Sequence, residues 1–287
     1  MTLMTITDDL ELDGFRALIE KRSGIRFDMS RERFLSTRIR EHLQHRGLGS
    51  GADLMRLVRS SNLEYEALLA RLLTHETSFF RYPSAYTALK KRVLPEIQTR
   101  KFWDAPRTLR IWSAGCSTGE EPYSISIALA ETPAFATGWD IEILATDISR
   151  HAVARAVHAL YPRRSLANLT PEQVASYFTA DGDQYEVKPA IRRRVSFVVM
   201  NLVQSLYLGR MDCIFCMNVL IYFSEKRREQ LIRGFYDGLE PGGYLLLGHS
   251  ETLGNLSGKF EKIVFEDFML CRKPGPGAGA VNFGSKS

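Results

Sequence analysis

Residues 110–124 read R-I-W-S-A-G-C-S-T-G-E-E-P-Y-S: an apolar run, a turn of small residues, then the opening of a helix. No other segment constrains the chain as strongly. A small-residue turn between a strand and a helix lets backbone N–H groups and a helix N-terminus approach a ligand closely. The turn is not a dinucleotide fingerprint, because Ser117 stands where a middle glycine would be and Glu120 and Glu121 follow where a pyrophosphate needs neutral or positive surroundings. Carboxylates there suit a ligand with hydroxyls and a cationic amine, such as S-adenosylmethionine. Taken alone, the stretch also reads as an ordinary strand-turn-helix corner.

The rest of the chain decides between these readings. Its 287 residues, 45% hydrophobic and 25% charged, describe a globular protein of one large domain or two smaller ones. No apolar run approaches the roughly 18 to 20 residues of a membrane span, so no membrane insertion is expected. Asp8, Asp9 and Glu11 break the basic-then-apolar order of a signal peptide, which points to the cytoplasm. Cys213 and Cys216 form a C-x-x-C inside the apolar run M-D-C-I-F-C-M-N, without a second ligand pair at zinc spacing, so a buried strand and no metal are expected. A net charge of +5 hints at an acidic partner.

Residues 9–73 read as helices only, with Leu12, Phe15, Leu18 and Ile19 on one face and Gly24 as a left-handed stop. In a second helix over residues 30–46, Phe34, Leu35, Ile39 and Leu43 face inward. Arg31, Arg33, Arg38, Arg40 and Arg46 lie around the rest, and Gly47 ends it. Such a face is either simply solvated or a docking surface for carboxylates, which the planar guanidinium binds bidentately. Two further helices, over residues 52–58 and 64–73, lead into the joint T-H-E-T-S-F-F-R, after which Pro83 can start a new helix.

From Leu109 onward, strand-like runs at 111–114, 141–145, 195–199, 212–217 and 244–248 alternate with helical runs at 122–130, 149–159 and 225–239. That is an α/β pattern with a mainly parallel sheet. Ligands of such sheets bind beyond the carboxyl ends of the strands, where the 115–119 turn, Asp147, Asn201 and Asn218 fall. Asp147 can accept hydrogen bonds from both hydroxyls of a ribose or cap the next helix. Thr170 and Pro171 start a short helix ending near Phe178, and residues 185–188 and 191–194 look like short strands around Pro189. This piece reads as an inserted subdomain. Residues from Lys273 are rich in Gly, Pro, Ala and Ser and read as a mobile tail.

In order along the chain, T-S-F-F-R, W-S-A-G-C-S-T-G-E-E-P-Y-S, A-T-D-I-S, F-C-M-N-V-L-I-Y-F and G-H-S-E together resemble the CheR-type chemotaxis protein methyltransferases. That resemblance, from the first helix to about Cys271, implies methyl transfer from S-adenosylmethionine to glutamate side chains of chemoreceptors. It implies a helical N-terminal domain over 1–80 for receptor docking and a Rossmann-like methyltransferase domain over 81–272. An inserted β-subdomain would lie at about 162–194, and a tail would follow at 273–287. The implied cofactor contacts are His75, Thr77, Arg81, one of Glu120 and Glu121, Asp147, Asn201 with Leu202, and Asn218 with Val219. Asp147 would hold the ribose, and Asn201 and Asn218 the adenine edge or nearby backbone. Arg81 and Tyr222 are the candidates for orienting the acceptor carboxylate; Tyr222 also reads as a core residue beside Phe223.

Two departures from the family stand out: His75 where Asn is common, and Met217 where Arg is common. A neutral histidine still donates or accepts a hydrogen bond. The acceptor needs no base, since a glutamate of pKa roughly 4.3 is already ionised at neutral pH. G-H-S-E is not a catalytic relay, because adjacent side chains in one turn point apart, and reads as strand-end structure. Nucleic-acid N-methylation is a competing reading, but N-x-x-x-Y lacks the prolines and spacing of that motif, so no nucleic-acid partner is expected. A non-catalytic adenosylmethionine-sensing or receptor-docking module is another. The expected partners are the acidic methylation helices of chemoreceptor cytoplasmic domains, met by Arg33, Arg38, Arg40 and Arg46 of a monomer. The short loop T-A-D-G-D-Q around Gly182 argues against tethering through a receptor's C-terminal peptide.

Overall fold

A computed structural model of the chain describes residues 9–73, 76–204 and 208–275. The helical opening consists of α1 (Asp9–Ser23), α2 (Glu32–Arg46), α3 (Gly51–Ser60) and α4 (Asn62–Leu72). Its core is the predicted stripe: Leu12, Phe15 and Ile19 of α1 and Leu35, Ile39 and Leu43 of α2 are buried together with Leu54, Val58, Leu68 and Leu69. Local chemistry sets the breaks. Gly24 (φ 77°) and Gly47 (φ 63°) take the left-handed conformation after α1 and α2. Ser50 and Ser61 then cap α3 and α4 by accepting the backbone N–H of Asp53 and Glu64.

Beyond the joint, α5 (Pro83–Ala88), a π-helical turn (Leu89–Val93) and α6 (Leu94–Arg100) run on from one another. The alternating part follows: β1 (Thr108–Ala114), α7 (Glu120–Ala130), β2 (Asp140–Asp147) and α8 (Arg150–His158). Next come β3 (Leu160–Pro162), α9 (Pro171–Tyr177), β4 (Phe178–Asp181), β5 (Gln184–Val187) and α10 (Pro189–Arg192). β6 (Val195–Val199), β7 (Met211–Cys216), α11 (Glu225–Gly238), β8 (Leu239–Leu247), β9 (Glu261–Phe265) and β10 (Phe268–Arg272) complete it.

The main sheet is seven-stranded in the order β6-β2-β1-β7-β8-β10-β9. Strands β6, β2, β1, β7 and β8 are mutually parallel, and β10 enters antiparallel between β8 and β9. Strand order reverses at β1: the chain first winds out to β2 and β6, then returns to place β7 on the other side. Ligands of doubly wound sheets bind at that reversal. One face is covered by α5, α6, α7 and the insertion, around Tyr86, Leu94, Ile125 and Phe135. The other packs Trp112, Ile214 and Leu245 against Leu231 and Phe235 of α11.

Two expectations need correction. Residues 191–194 do not form a strand. Pro189, with φ fixed for a first helical position, opens the short helix α10, and the insertion's sheet is built from β3, β5 and β4. The hairpin of β9 and β10 was not anticipated; its two-residue turn is Glu266–Asp267, with Glu266 at φ 53°. Turns of this kind usually announce themselves with glycine or asparagine. The cysteines of C-x-x-C are both buried in β7. The tail expected beyond Lys273 lies, from residue 276 on, outside the described residues.

At the amino end of β7, opposite the reversal's ligand-facing side, Asp212 is fully buried. Arg100 and Lys101 donate to it at 2.5 and 2.6 Å, and the backbone N–H of Arg110 at 3.0 Å. This charge is neutralised inside the chain.

Candidate functional site

Residues 115–119 form a turn that only small residues permit. Gly115 (φ 90°), Ser117 (φ 49°) and Gly119 (φ 99°) all lie in the left-handed region. The N–H groups of Gly115 and Cys116 both donate to the Thr146 carbonyl, at 2.8 Å each, which straps the turn to the end of β2. Any Cβ on Gly115 would collide with the side chain of Val219 from the β7 side. The turn therefore lies directly beside the loop after β7, as the strand reversal requires.

Between them opens a cavity of about 500 Å³, within the range of small-molecule and cofactor sites. It collects Thr77, Arg81, Glu121, Asp147, Asn201, Leu202, Asn218, Val219 and Tyr222, which come from the joint, α7 and the ends of β2, β6 and β7. His75 lies outside the described residues. Glu120 does not line the cavity. Its buried carboxylate accepts from the hydroxyls of Thr118 at 2.7 Å and Ser165 at 3.4 Å, and burial pushes its pKa up. The open choice between the two glutamates thus resolves, as to which one faces the cavity, for Glu121.

Glu121 is the unusual group. Burial is the main cause of a pKa pushed up to about 7, the nearby Glu251 adds to it, and the Ser113 hydroxyl at 2.7 Å and the charge of Arg81 pull it back. Arg81 does not pair with it directly: its guanidinium donates to the Glu76 carbonyl at 2.5 Å and lies over the Tyr82 ring. A carboxylate facing a cavity without an ion-paired cation among the described residues fits a ligand that brings its own positive charge. Asp147 complements it at the end of β2. Its two oxygens accept the N–H groups of Ser117 (2.9 Å) and Ser149 (2.8 Å), which fixes the carboxylate at the cavity wall. The cap of α8 is the neighbouring Ser149, not Asp147.

The side chains of the two asparagines both have hydrogen-bond partners within the chain. Asn201 donates to the Arg22 carbonyl at 3.0 Å and accepts from Val203 at 3.1 Å, bridging the sheet to the end of α1. Asn218, at φ 61°, accepts from the Tyr82 hydroxyl at 2.8 Å. Met217 is buried in the core and also reaches the cavity. Tyr222 stands at the cavity with the Arg31 guanidinium 5.3 Å from its ring centre.

Sequence reasoning missed how much of the wall comes from the helical opening. Ser23, Ile25, Ser30, Arg31 and Phe34 all face the cavity. Besides the Asn201 bond to Arg22, the connection includes an antiparallel bridge between Ile25 and Phe223, with Arg26 donating to the Tyr222 carbonyl at 2.8 Å. Nothing in the local pattern of residues 23–34 signals it. Glu251 was also missed: it accepts backbone N–H groups from the loop after β7.

Of the α2 arginines, Arg33 and Arg40 are exposed, and Arg38 is half-exposed with an ion pair to Glu41 at 2.8 Å. Arg46, also half-exposed, forms a two-pronged pair with Glu64 (2.7 and 2.5 Å), and the same carboxylate meets the buried His42 at 2.7 Å, which ties this arginine to the helical core.

Comparison with known proteins places these features. The family described as "CheR methyltransferase, SAM binding domain" matches residues 75–269, and "CheR methyltransferase, all-alpha domain" matches residues 10–73. Chemotaxis protein methyltransferase 1 of Pseudomonas aeruginosa is 36% identical over 262 residues, covering 89% of this chain and 94% of that protein. The chemotaxis protein methyltransferase of Vibrio parahaemolyticus is 36% identical over 270 residues, 92% of this chain and 96% of its own. That of Escherichia coli is 32% identical over 269 residues, with 91% and 90% covered.

Proposed function

The chain belongs to the CheR methyltransferase family, and we propose that it uses S-adenosylmethionine to methylate glutamate side chains in the cytoplasmic domains of chemoreceptors, producing methyl esters. The observation that carries this reading is the cavity-facing Glu121, which has no ion-paired cation among the described residues, beside Asp147 at the strand reversal. A ligand with a cationic amino group and a ribose satisfies both. When bound, the cofactor supplies a methyl group already activated on a sulfonium. The chain's own residues then have to bind, orient and exclude water.

Glu121 gives up its proton to meet the cofactor's ammonium, and Asp147, fixed at the cavity wall by the N–H groups of Ser117 and Ser149, accepts from the ribose hydroxyls. Thr77, Asn201 with Leu202, and Asn218 with Val219 hold the remaining edges. The acceptor glutamate arrives ionised and needs no base, so the acceptor side of the cavity has only to aim it. Positioning of this kind supplies up to roughly 7 to 11 kcal/mol of a barrier. The Tyr222 hydroxyl donates to the incoming carboxylate, and Arg81, whose guanidinium retains donors beyond its bond to Glu76, orients it.

On this reading residues 1–80 form the receptor-docking part and 81–272 the methyltransferase part, with the insertion at about 162–194. The protein works as a cytoplasmic monomer. Arg33, Arg38 and Arg40 meet the acidic methylation helix. Among the described residues no helix is long and apolar enough to cross a membrane.

The test is incubation with labelled S-adenosylmethionine and, separately, a receptor cytoplasmic fragment or RNA. Label on the receptor fragment that mild alkali releases as methanol is the expected result. Label in RNA, or cofactor binding without any transfer, would overturn the proposed acceptor.

A further inference from the structure

Methyl transfer as described makes no use of the run 248–251, G-H-S-E, that follows β8. Yet Glu251 turns its carboxylate back into the loop after β7. Oε1 accepts the N–H groups of Val219 (2.8 Å) and Leu220 (2.7 Å); Oε2 accepts those of Asn218 (2.9 Å) and Gly248 (2.8 Å). Asn218 in the left-handed region (φ 61°), followed by Val219 in the right-handed one (φ −111°, ψ −43°), aims successive N–H groups at one point. Such a backbone nest binds anions, and here the anion is the chain's own.

Gly248 makes the fit possible. A Cβ there would stand 2.8 Å from the Glu251 carboxylate and 3.1 Å from the Asn218 nitrogen. His249 packs edge-on against Tyr82, with ring centres 5.0 Å apart, and Tyr82 donates to the Asn218 side chain. The segment therefore grips the loop from two sides. Burial pushes the Glu251 pKa up while its four N–H donors pull it down, and among the described residues it has no ion-paired cation.

We propose that Glu251 is a positioning residue for methyl transfer: its carboxylate holds the 218–220 backbone in the one conformation that presents Asn218, Val219 and Tyr222 to the cavity. This rests on the function proposed above. Glu251 itself touches neither cofactor nor acceptor. It acts through the loop.

Each Glu251 carboxylate oxygen receives two N–H donors, so in Glu251→Gln either orientation of the amide turns an NH₂ group toward two of them. Glu251→Asp keeps the charge and shortens the reach, and Gly248→Ala crowds the carboxylate out without changing it. The measurements are S-adenosylhomocysteine Kd by calorimetry, kcat and receptor KM, all at a temperature where circular dichroism reports native protein. Glu251→Gln is expected to weaken Kd and lower kcat at least tenfold each, with receptor KM changed less than twofold, and Glu251→Asp to recover part of the loss.

Adding Tyr222→Phe to Glu251→Gln should lower kcat little further, because the hydroxyl is already misplaced. Should Glu251→Gln not fold, Gly248→Ala and Glu251→Asp carry the same expectations in smaller measure. Parental Kd and kcat in any folded variant overturn the proposal, as do losses that only track the unfolded fraction. A parent chain that does not bind S-adenosylhomocysteine would instead overturn the functional reading on which it rests.

Discussion

Asp212 and Glu121 sit at opposite ends of the parallel part of the main sheet and illustrate two ways of burying a carboxylate. Asp212, at the amino end of β7, has two cations and a backbone N–H within hydrogen-bond reach. Glu121, at the carboxyl end beside β1, has one hydroxyl, a cavity, and a pKa pushed up to about 7. The first charge is satisfied by the fold, so it carries structural information only. The second faces the cavity, and on the proposed function it is left for the cofactor's positive charge.

The sharpest way to break this contrast is to remove the structural charge. Asp212→Ala leaves Arg100 and Lys101 facing each other around a buried gap, and should cost about 3–5 kcal/mol of stability. Cofactor affinity, measured below the lowered melting temperature, should stay within about twofold. Equal losses of stability and affinity would mean that the two ends of the sheet are not independent.

Next in size is Asp147→Ala, which leaves the ribose hydroxyls and the N–H of Ser117 without their acceptor. Binding should weaken by roughly 1 to 3 kcal/mol in calorimetry. Unchanged affinity would show that the ribose lies elsewhere.

The pH dependence sharpens the comparison further. Because the folded pKa of Glu121 lies above its ordinary value of 4.5, the folded state keeps a proton that the unfolded state has lost between pH 4.5 and about 7. Its contribution to stability is therefore full below pH 4.5 and fades as pH rises through 7. Cofactor affinity runs the other way, improving by at most about tenfold per pH unit up to 7 as the carboxylate becomes available. Glu121→Gln should flatten both profiles. An affinity that falls with rising pH in this range would contradict the assignment.

Tyr222→Phe is expected to lower kcat about tenfold with little change in melting temperature or cofactor affinity, a split that identifies a group acting on the acceptor. The smallest effect should come from charge reversal at Arg38 and Arg40: a severalfold higher receptor KM at low salt that disappears as salt screens exposed charges beyond roughly 8 to 10 Å.

Much of this was legible in the sequence because it is local. The turn of small residues, the strand ends at Asp147 and Asn218, the helix stops at Gly24 and Gly47 and the inward stripe of α2 depend on residues within a few positions of one another. The facing of Glu120 and Glu121 was not. On α7 nearly every residue is buried, so no amphipathic stripe tells which of two adjacent carboxylates meets the cavity.

Long-range pairings were equally hidden. Nothing near Arg46 in the sequence announces its pair with Glu64, and Glu251 reads as strand-end structure until the loop 33 positions earlier closes around it. The β9–β10 hairpin escaped because Glu266 adopts positive φ without the glycine or asparagine that usually marks such turns.

Proton release on cofactor binding tests the central claim most directly. Calorimetry at pH 6.5, in buffers of different ionisation enthalpy, counts the protons exchanged when S-adenosylmethionine binds. If Glu121 is the carboxylate the fold leaves for the cofactor's positive charge, the parent chain should release most of one proton and Glu121→Gln essentially none. Equal release by both proteins, or none by the parent, would contradict it.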